Sequence, residues 1–217
     1  MPNIALFPIP ECVAFPGTIF PLHVFEPRYR EMVNHCLEQN MPMAVTHTET
    51  LISPSPKNQT TEQAMQSNQA TYKPYTVFSA GKVELIETLK DGRMLIDVHL
   101  NERLYAVTEL QQLPFLIYEC EPYLDRPLTD DDIAQSEQLK QKLLKRLLAL
   151  TNHSEAIQEQ LQSARWQEMD VVEFSFRLFG LVRLEGDISQ QILQCRSPVE
   201  RLHIALQMLN KITPGFV

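Results

Sequence analysis

Thirteen of the fifteen prolines lie at or before Pro127, and only Pro198 and Pro214 follow. Proline lacks a backbone N–H, and its ring clashes with the preceding helical turn, so the first part cannot be mainly helical. The ninety residues beyond Pro127 are rich in Leu, Gln and Glu, all good helix formers. The chain therefore divides near Asp125-Arg126-Pro127 into 1–127, β-rich, and 128–217, helical. At 217 residues, with 44% hydrophobic and 21% charged side chains, it is long and apolar enough to bury a core unaided. Global disorder is excluded.

In the first part Asn3 to Ile9 reads as a strand, and Phe15-Pro16-Gly17 as a turn. Ile19 to Phe25 is a second strand, with Phe25 expected to face the core. Pro27 opens a helix at the tolerated first position, and Tyr29, Met32, Val33, Cys36 and Leu37 form its apolar stripe. That helix stops before Met41-Pro42. Met43 to Thr46 is a strand. Ser53 to Thr71 holds only Ala64, Met65 and Ala70 as apolar residues and reads as a mobile loop. Thr76 to Leu89 and Met94 to Leu100 pair around the Asp91-Gly92 turn, and Leu104 to Val107 and Phe115 to Glu121 add strands. Several short strands with one helix predict a partly closed antiparallel barrel or a sandwich.

The second part opens on Thr129, which caps a helix whose first turn carries Asp130, Asp131 and Asp132. Its apolar face runs from Ile133 through Leu139, Leu143, Leu144, Leu147 and Leu148 to about Leu150. Further helices are expected at Glu155 to Ala164, around Val171 to Val182 and at Ile188 to Leu193. Another follows the Ser197-Pro198-Val199-Glu200 capping box. The fold class is α+β, with a bundle of four or five helices after the strands.

Chemistry is sparse. The only Gly-Lys, Gly81-Lys82, lacks the leading glycine and the following Ser or Thr of a phosphate loop. There is no HExxH and no GxSxG, and no two of the six histidines stand at i, i+4. His35 and Cys36 are adjacent, yet consecutive helical positions diverge by about a hundred degrees, so they do not form a catalytic pair. Arg28 and Arg30 read as a solvated face or as local ion partners of Glu26 or Glu31. No catalytic, cofactor-binding or metal-binding residue is assigned.

The net charge of −8 argues against nucleic acid, because phosphate binding needs a positive face. The densest basic cluster, Lys140, Lys142, Lys145 and Arg146, sits among leucines. The run from Cys12 to Phe25, free of charge but broken by Pro16 and Pro21, is too short to span a bilayer. Neither a secretory leader nor CxxC spacing is present, which predicts a cytoplasmic protein with four reduced thiols.

One stretch carries a family resemblance. Leu6-Phe7-Pro8-Ile9-Pro10, Val13-Ala14-Phe15-Pro16-Gly17 and Phe20-Pro21-Leu22-His23-Val24-Phe25-Glu26-Pro27-Arg28-Tyr29-Arg30 resemble the opening motif of the Lon protease N-terminal, substrate-binding domain family. Gly81-Lys82-Val83-Glu84-Leu85-Ile86, Asp91-Gly92-Arg93 and Glu102-Arg103-Leu104-Tyr105-Ala106-Val107 are similar to its later strands. Ser175-Phe176-Arg177-Leu178 and Glu200-Arg201-Leu202 are similar to its helical region. One departure is Asn101, where the family has a turn glycine; Asn tolerates the left-handed region, so the turn is expected to survive.

The resemblance implies a PUA-like, partly closed barrel (1–127) followed by a helical bundle (128–217). It implies a stand-alone member without the ATPase and Ser-Lys protease modules, hence not an enzyme. The expected function is a binding module for unfolded or partly folded polypeptides, an adaptor or regulator in proteolysis. An RNA-binding PUA-like module and a small hydrolase are the rivals. The motif residues Phe15, Pro16, Gly17, Pro21, Leu22, Phe25, Glu26, Arg28 and Tyr29 are read as mainly structural.

Overall fold

A computed structural model describes residues 1–182 and 184–211. The order of elements confirms an α+β protein. Strands β1 (Asn3–Pro8) and β2 (Thr18–Val24) precede helix α1 (Pro27–Gln39). Strands β3 (Met43–Thr46) and β4 (Thr48–Ser53), a single turn α2 (Thr61–Ala64), and strands β5 (Thr71–Pro74), β6 (Val77–Thr88), β7 (Met94–Gln111) and β8 (Leu116–Pro122) follow. Then come α3 (Asp130–Leu150), α4 (Glu155–Gln162), α5 (Ala164–Gln167), α6 (Val171–Arg177), α7 (Gly186–Gln194) and α8 (Pro198–Lys211). Eight helices are thus present among the described residues, and none is long and apolar enough to cross a membrane.

Six strands form one sheet in the order β2-β7-β6-β3-β1-β8, and β8 also pairs with the far half of β7. β1 and β3 run parallel in the middle, with Ala5 opposite Met43 and Phe7 opposite Val45. Both are buried on both faces, as parallel strands usually are. Ala5, Met43 and Val45 join one core with Met32, Val33 and Cys36 of α1, while Ile4, Leu6 and Ala44 join another with Phe78, Leu104 and Cys120. The two-residue alternation of a strand assigns the sides.

At the sheet edge, Pro21 of β2 stands opposite Asp97. An edge is where a strand tolerates a residue that cannot donate outward. α1 starts on Pro27 and ends at Gln39, with Asn40, left-handed at φ 49, as its C-cap, so it stops before Met41-Pro42 as expected from sequence.

Two local expectations are corrected. Val24, 1% exposed, faces the core, whereas Phe25 is only partly buried. The strand ends at Val24, so Phe25 follows the chain's turn into α1 rather than the pleat. Second, 94–111 is one long strand with no turn at Asn101. Ala80 pairs with Glu102 and Gly81 with Leu100, so Asn101 is the extra residue of a β-bulge. A bulge bends the strand without a left-handed residue. Within Ser53 to Thr71, read from sequence as a mobile loop, the structure has one short helical turn, α2. Thr60 and Gln63 make a capping box for α2, and β4 pairs with β5 into a two-stranded sheet.

Contacts group the described residues into two compact units, one holding Met1–Leu124 with Leu184–Leu193 and the other holding the remainder. A division at residue 127 and these units differ over two segments, 125–127 and Leu184–Leu193, the second of which carries nearly all of α7. Within the first unit, Gln190 donates to the Val77 carbonyl at 2.9 Å, and the Gly186 N–H donates to Glu11 at 3.1 Å.

In the second unit, α3 has the expected cap: Thr129 accepts from the Asp132 N–H, and Asp132 reciprocates. The helix expected over Glu155 to Ala164 is α4, which stops at Gln162, and after Ser163 the single turn α5 follows. α6 ends at Arg177 and tightens into a 3-10 turn, Leu178–Leu181. Arg201, fully buried, grips Asp125 through two bonds of 2.7 and 2.6 Å, donates to Ser175 and the Cys195 carbonyl, and lies over the Phe176 ring.

Candidate functional site

The residues of the opening motif go to different places. Gly17 takes φ 80 in the turn after Pro16, and its N–H donates to the Leu100 carbonyl at 2.7 Å. Phe15 is buried, and Leu22 packs against the core that α1 covers. These serve the sheet. Glu26, Arg28 and Tyr29 converge on something else.

Glu26 caps the start of α1 by position and accepts from the Gln69 N–H at 2.9 Å. Its carboxylate also pairs with Arg28 at 2.9 Å, the local ion pair read from sequence. Arg28 then reaches the Ala70 carbonyl at 2.7 Å and the Thr71 hydroxyl at 3.0 Å. A charge-assisted fork of this kind fixes direction as well as distance. The motif thereby holds 69–71, the entry to β5, against the start of α1. Tyr29 lies beneath Arg28, 4.6 Å from the guanidinium, with its ring 4.1 Å from that of Phe7. Burial pushes the Tyr29 phenol well above its ordinary range, so it stays neutral.

Beside this clamp, within the first unit, lies a groove of about 260 Å3. One wall is the β4–β5 sheet, with Ile52 and Tyr72; the other is the β7–β8 connection, with Leu113, Pro114 and Phe115. Arg28 and Tyr29 belong to its lining. Leu113 is 80% exposed and Ile52 61%, so two large apolar side chains stand in water at its rim. Three charged residues line it. Arg28 is neutralised by Glu26, and Lys73 by Glu49 at 2.7 Å. Glu109 accepts a 2.6 Å bond from the Tyr118 hydroxyl and has no cationic partner among the described residues.

A larger cleft of about 450 Å3 lies elsewhere in the first unit, lined by Asn40, Lys82, Asn101 and Glu102 together with apolar residues such as Met41. Volume alone does not make a site. The smaller groove combines exposed apolar side chains with the motif clamp, and it is the better candidate. Sequence reading missed Ile52, Tyr72, Glu109 and Leu113. The available signal was Leu113-Pro114 in a polar Gln111-Gln112 context, an apolar residue with no strand periodicity to claim it.

Burial pushes the Cys12 thiol up to about 11 and those of Cys36 and Cys120 up to about 12, which keeps them protonated near neutrality. The His35 ring lies 5.6 Å from that of Phe115, tilted by 53°, while Cys36 enters the core, as their angular separation requires. No cluster of three or more His, Cys, Asp or Glu able to hold a metal occurs among the described residues. Of the basic cluster on α3, Lys140 is buried against the Met169 carbonyl and Arg146 donates to that of Leu209. Those four cations do not form one exposed basic face.

The fold thus defines an α+β domain with a mixed sheet and an apolar groove. The chain belongs to the family of the ATP-dependent protease La (LON) substrate-binding domain, whose family model matches residues 3–211. That match includes neither an ATPase nor a protease module. Solved structures similar to it include the N-terminal domain of Mycobacterium avium complex Lon protease, with TM-score 0.69 and 12% identity. The alignment covers 97% of this chain and 100% of that one. A Lon N-terminal domain protein from Xanthomonas campestris aligns with TM-score 0.58 and 18% identity over 98% and 100% of the two chains. At such identities the likeness speaks for the fold. No curated protein matches the sequence.

Proposed function

We propose that this chain is a non-enzymatic module that binds exposed apolar segments of unfolded or partly folded polypeptides, in the cytoplasm, as an adaptor or regulator of proteolysis. The observation that carries it is the groove, where Ile52 and Leu113 stand exposed beside the Glu26–Arg28 clamp. Membership of a substrate-binding family supports the same reading. The nine motif residues act as architecture: Phe15, Pro16, Gly17, Pro21, Leu22 and Phe25 shape the sheet, and Glu26, Arg28 and Tyr29 shape the groove. A PUA-like, partly closed barrel is supported by β8, which pairs with β1 on one side and β7 on the other. The four cysteines are unbridged, which suits a reducing compartment.

Recognition of many client sequences favours apolar contacts and micromolar affinity, about −8 kcal/mol or weaker. Fluorescence anisotropy with a labelled unfolded polypeptide, at low and high salt, tests this. Binding should persist at high salt and weaken in Leu113→Asp, a change at an exposed position that leaves folding intact. Absence of binding to several unfolded polypeptides at high micromolar concentration would overturn the reading.

A further inference from the structure

We infer that the groove selects apolar segments carrying a basic residue, and that Glu109 is the group that reads it. This rests on the polypeptide-binding reading above and adds the chemistry of the client. Of the three charges in the lining, the two cations are already satisfied: Arg28 sits on Glu26 and Lys73 on Glu49. An acidic client would have to break one of those pairs to find a partner. Glu109 offers the opposite case. Tyr118 donates to its Oε2 at 2.6 Å, while Oε1 has no donor among the described residues. Burial, and then the bond to Glu109 and its charge, hold the Tyr118 hydroxyl well above its ordinary range, so it remains a donor throughout the neutral region.

The arrangement is an oriented carboxylate at the lip of an apolar groove. One oxygen is tethered by a phenol and the other is free to accept from an ammonium or guanidinium. The occupant it fits is an extended segment with one or two apolar side chains for Ile52, Tyr72 and Leu113 and a neighbouring Lys or Arg for Glu109. A second copy of this chain fits poorly, because each copy carries a net charge of −8.

The experiment uses the full chain and three labelled peptides that share one apolar segment and differ in a single flanking residue: Lys, Gln or Asp. An exposed ion pair contributes up to about 1 kcal/mol, so the Lys peptide should bind about 2–5-fold tighter than the Gln peptide, and the Asp peptide weaker still. High salt should narrow that spread while leaving binding of the Gln peptide unchanged. Glu109→Gln should abolish the preference and Glu109→Lys should reverse it. Glu159→Gln on α4, which removes the same charge outside the groove lining, should leave the preference intact.

Equal changes in Glu109→Gln and Glu159→Gln would overturn the inference, reducing the preference to overall net charge. So would binding of all three peptides with one affinity, an outcome that leaves the polypeptide-binding reading standing. Binding of none would remove both. Self-association that is abolished by Ile52→Asp, with no peptide binding, would assign the groove to a second copy.

Discussion

Val24 and Phe25 show how much one peptide unit decides. Either residue could close the second strand on the core, and the larger ring is the obvious choice from sequence. The structure buries Val24 to 1% exposure and leaves Phe25 partly in solvent. Val24→Ala should therefore cost about 2 kcal/mol, while Phe25→Ala should fall short of the 3–5 kcal/mol of a fully buried Phe. Urea denaturation of the two variants measures this; a Phe25→Ala loss above 3 kcal/mol would contradict the orientation. Arg201 makes the complementary point about charge. Its side chain is fully buried, so Asp125→Ala strips its partner and leaves a cation without water. Breaking one side of such a pair typically costs about 3–5 kcal/mol. A midpoint within experimental error of the parent would show that the pair is spectator to stability.

At the scale of elements, the long strand β7 depends on a residue that has no side chain. A Cβ placed on Gly81 would lie 1.7 Å from the His99 carbonyl oxygen, with the Asn101 N at 3.1 Å. Gly81 sits at the bulge that Asn101 creates, where the two backbones approach most closely. Gly81→Ala must push β6 from β7, with a loss at or beyond the top of the about 1–3 kcal/mol range for overpacking. Thermal unfolding and hydrogen exchange of 94–104 would report it, and unchanged protection there would contradict the geometry. The helices α1 and α3 were legible almost to the residue, because proline, caps and a 3.6-residue stripe are local signals. The merger of two expected strands into β7 was not. Continuity through Asn101 depends on β6 lying alongside, which no short window contains.

For the whole molecule, the buried thiols and phenols give stability a pH dependence with a definite sign. Cys12, Cys36 and Cys120 rise from an ordinary 9.0 to about 11, 12 and 12. Above pH 9 the unfolded chain loses these protons while the folded chain keeps them. The unfolded state then binds fewer protons, and stability falls as pH rises. The contribution is complete below pH 9 and is lost through about pH 12. Urea midpoints should be lower at pH 10.5 than at pH 8, with a shallower decline in Cys36→Ala once its own destabilisation is subtracted. A flat profile over that range would mean the thiols are more exposed than the fold has them.

The amino-acid sequence by itself determined the proline-rich strands before Pro127, the helices after it, the caps, the turn at Gly17 and the family. Each rests on residue types within a few positions of one another, where backbone sterics and short-range hydrogen bonds act. The tertiary structure alone decided that Leu184–Leu193 joins the unit of the sheet and that Arg201 reaches Asp125. It also gathered Arg28, Ile52, Tyr72, Glu109 and Leu113 around one groove. Those five side chains come from α1, β4, β5, β7 and the β7–β8 connection. Their meeting depends on how separate elements pack, and packing is set by shape and burial across the chain rather than by the order of neighbouring residues.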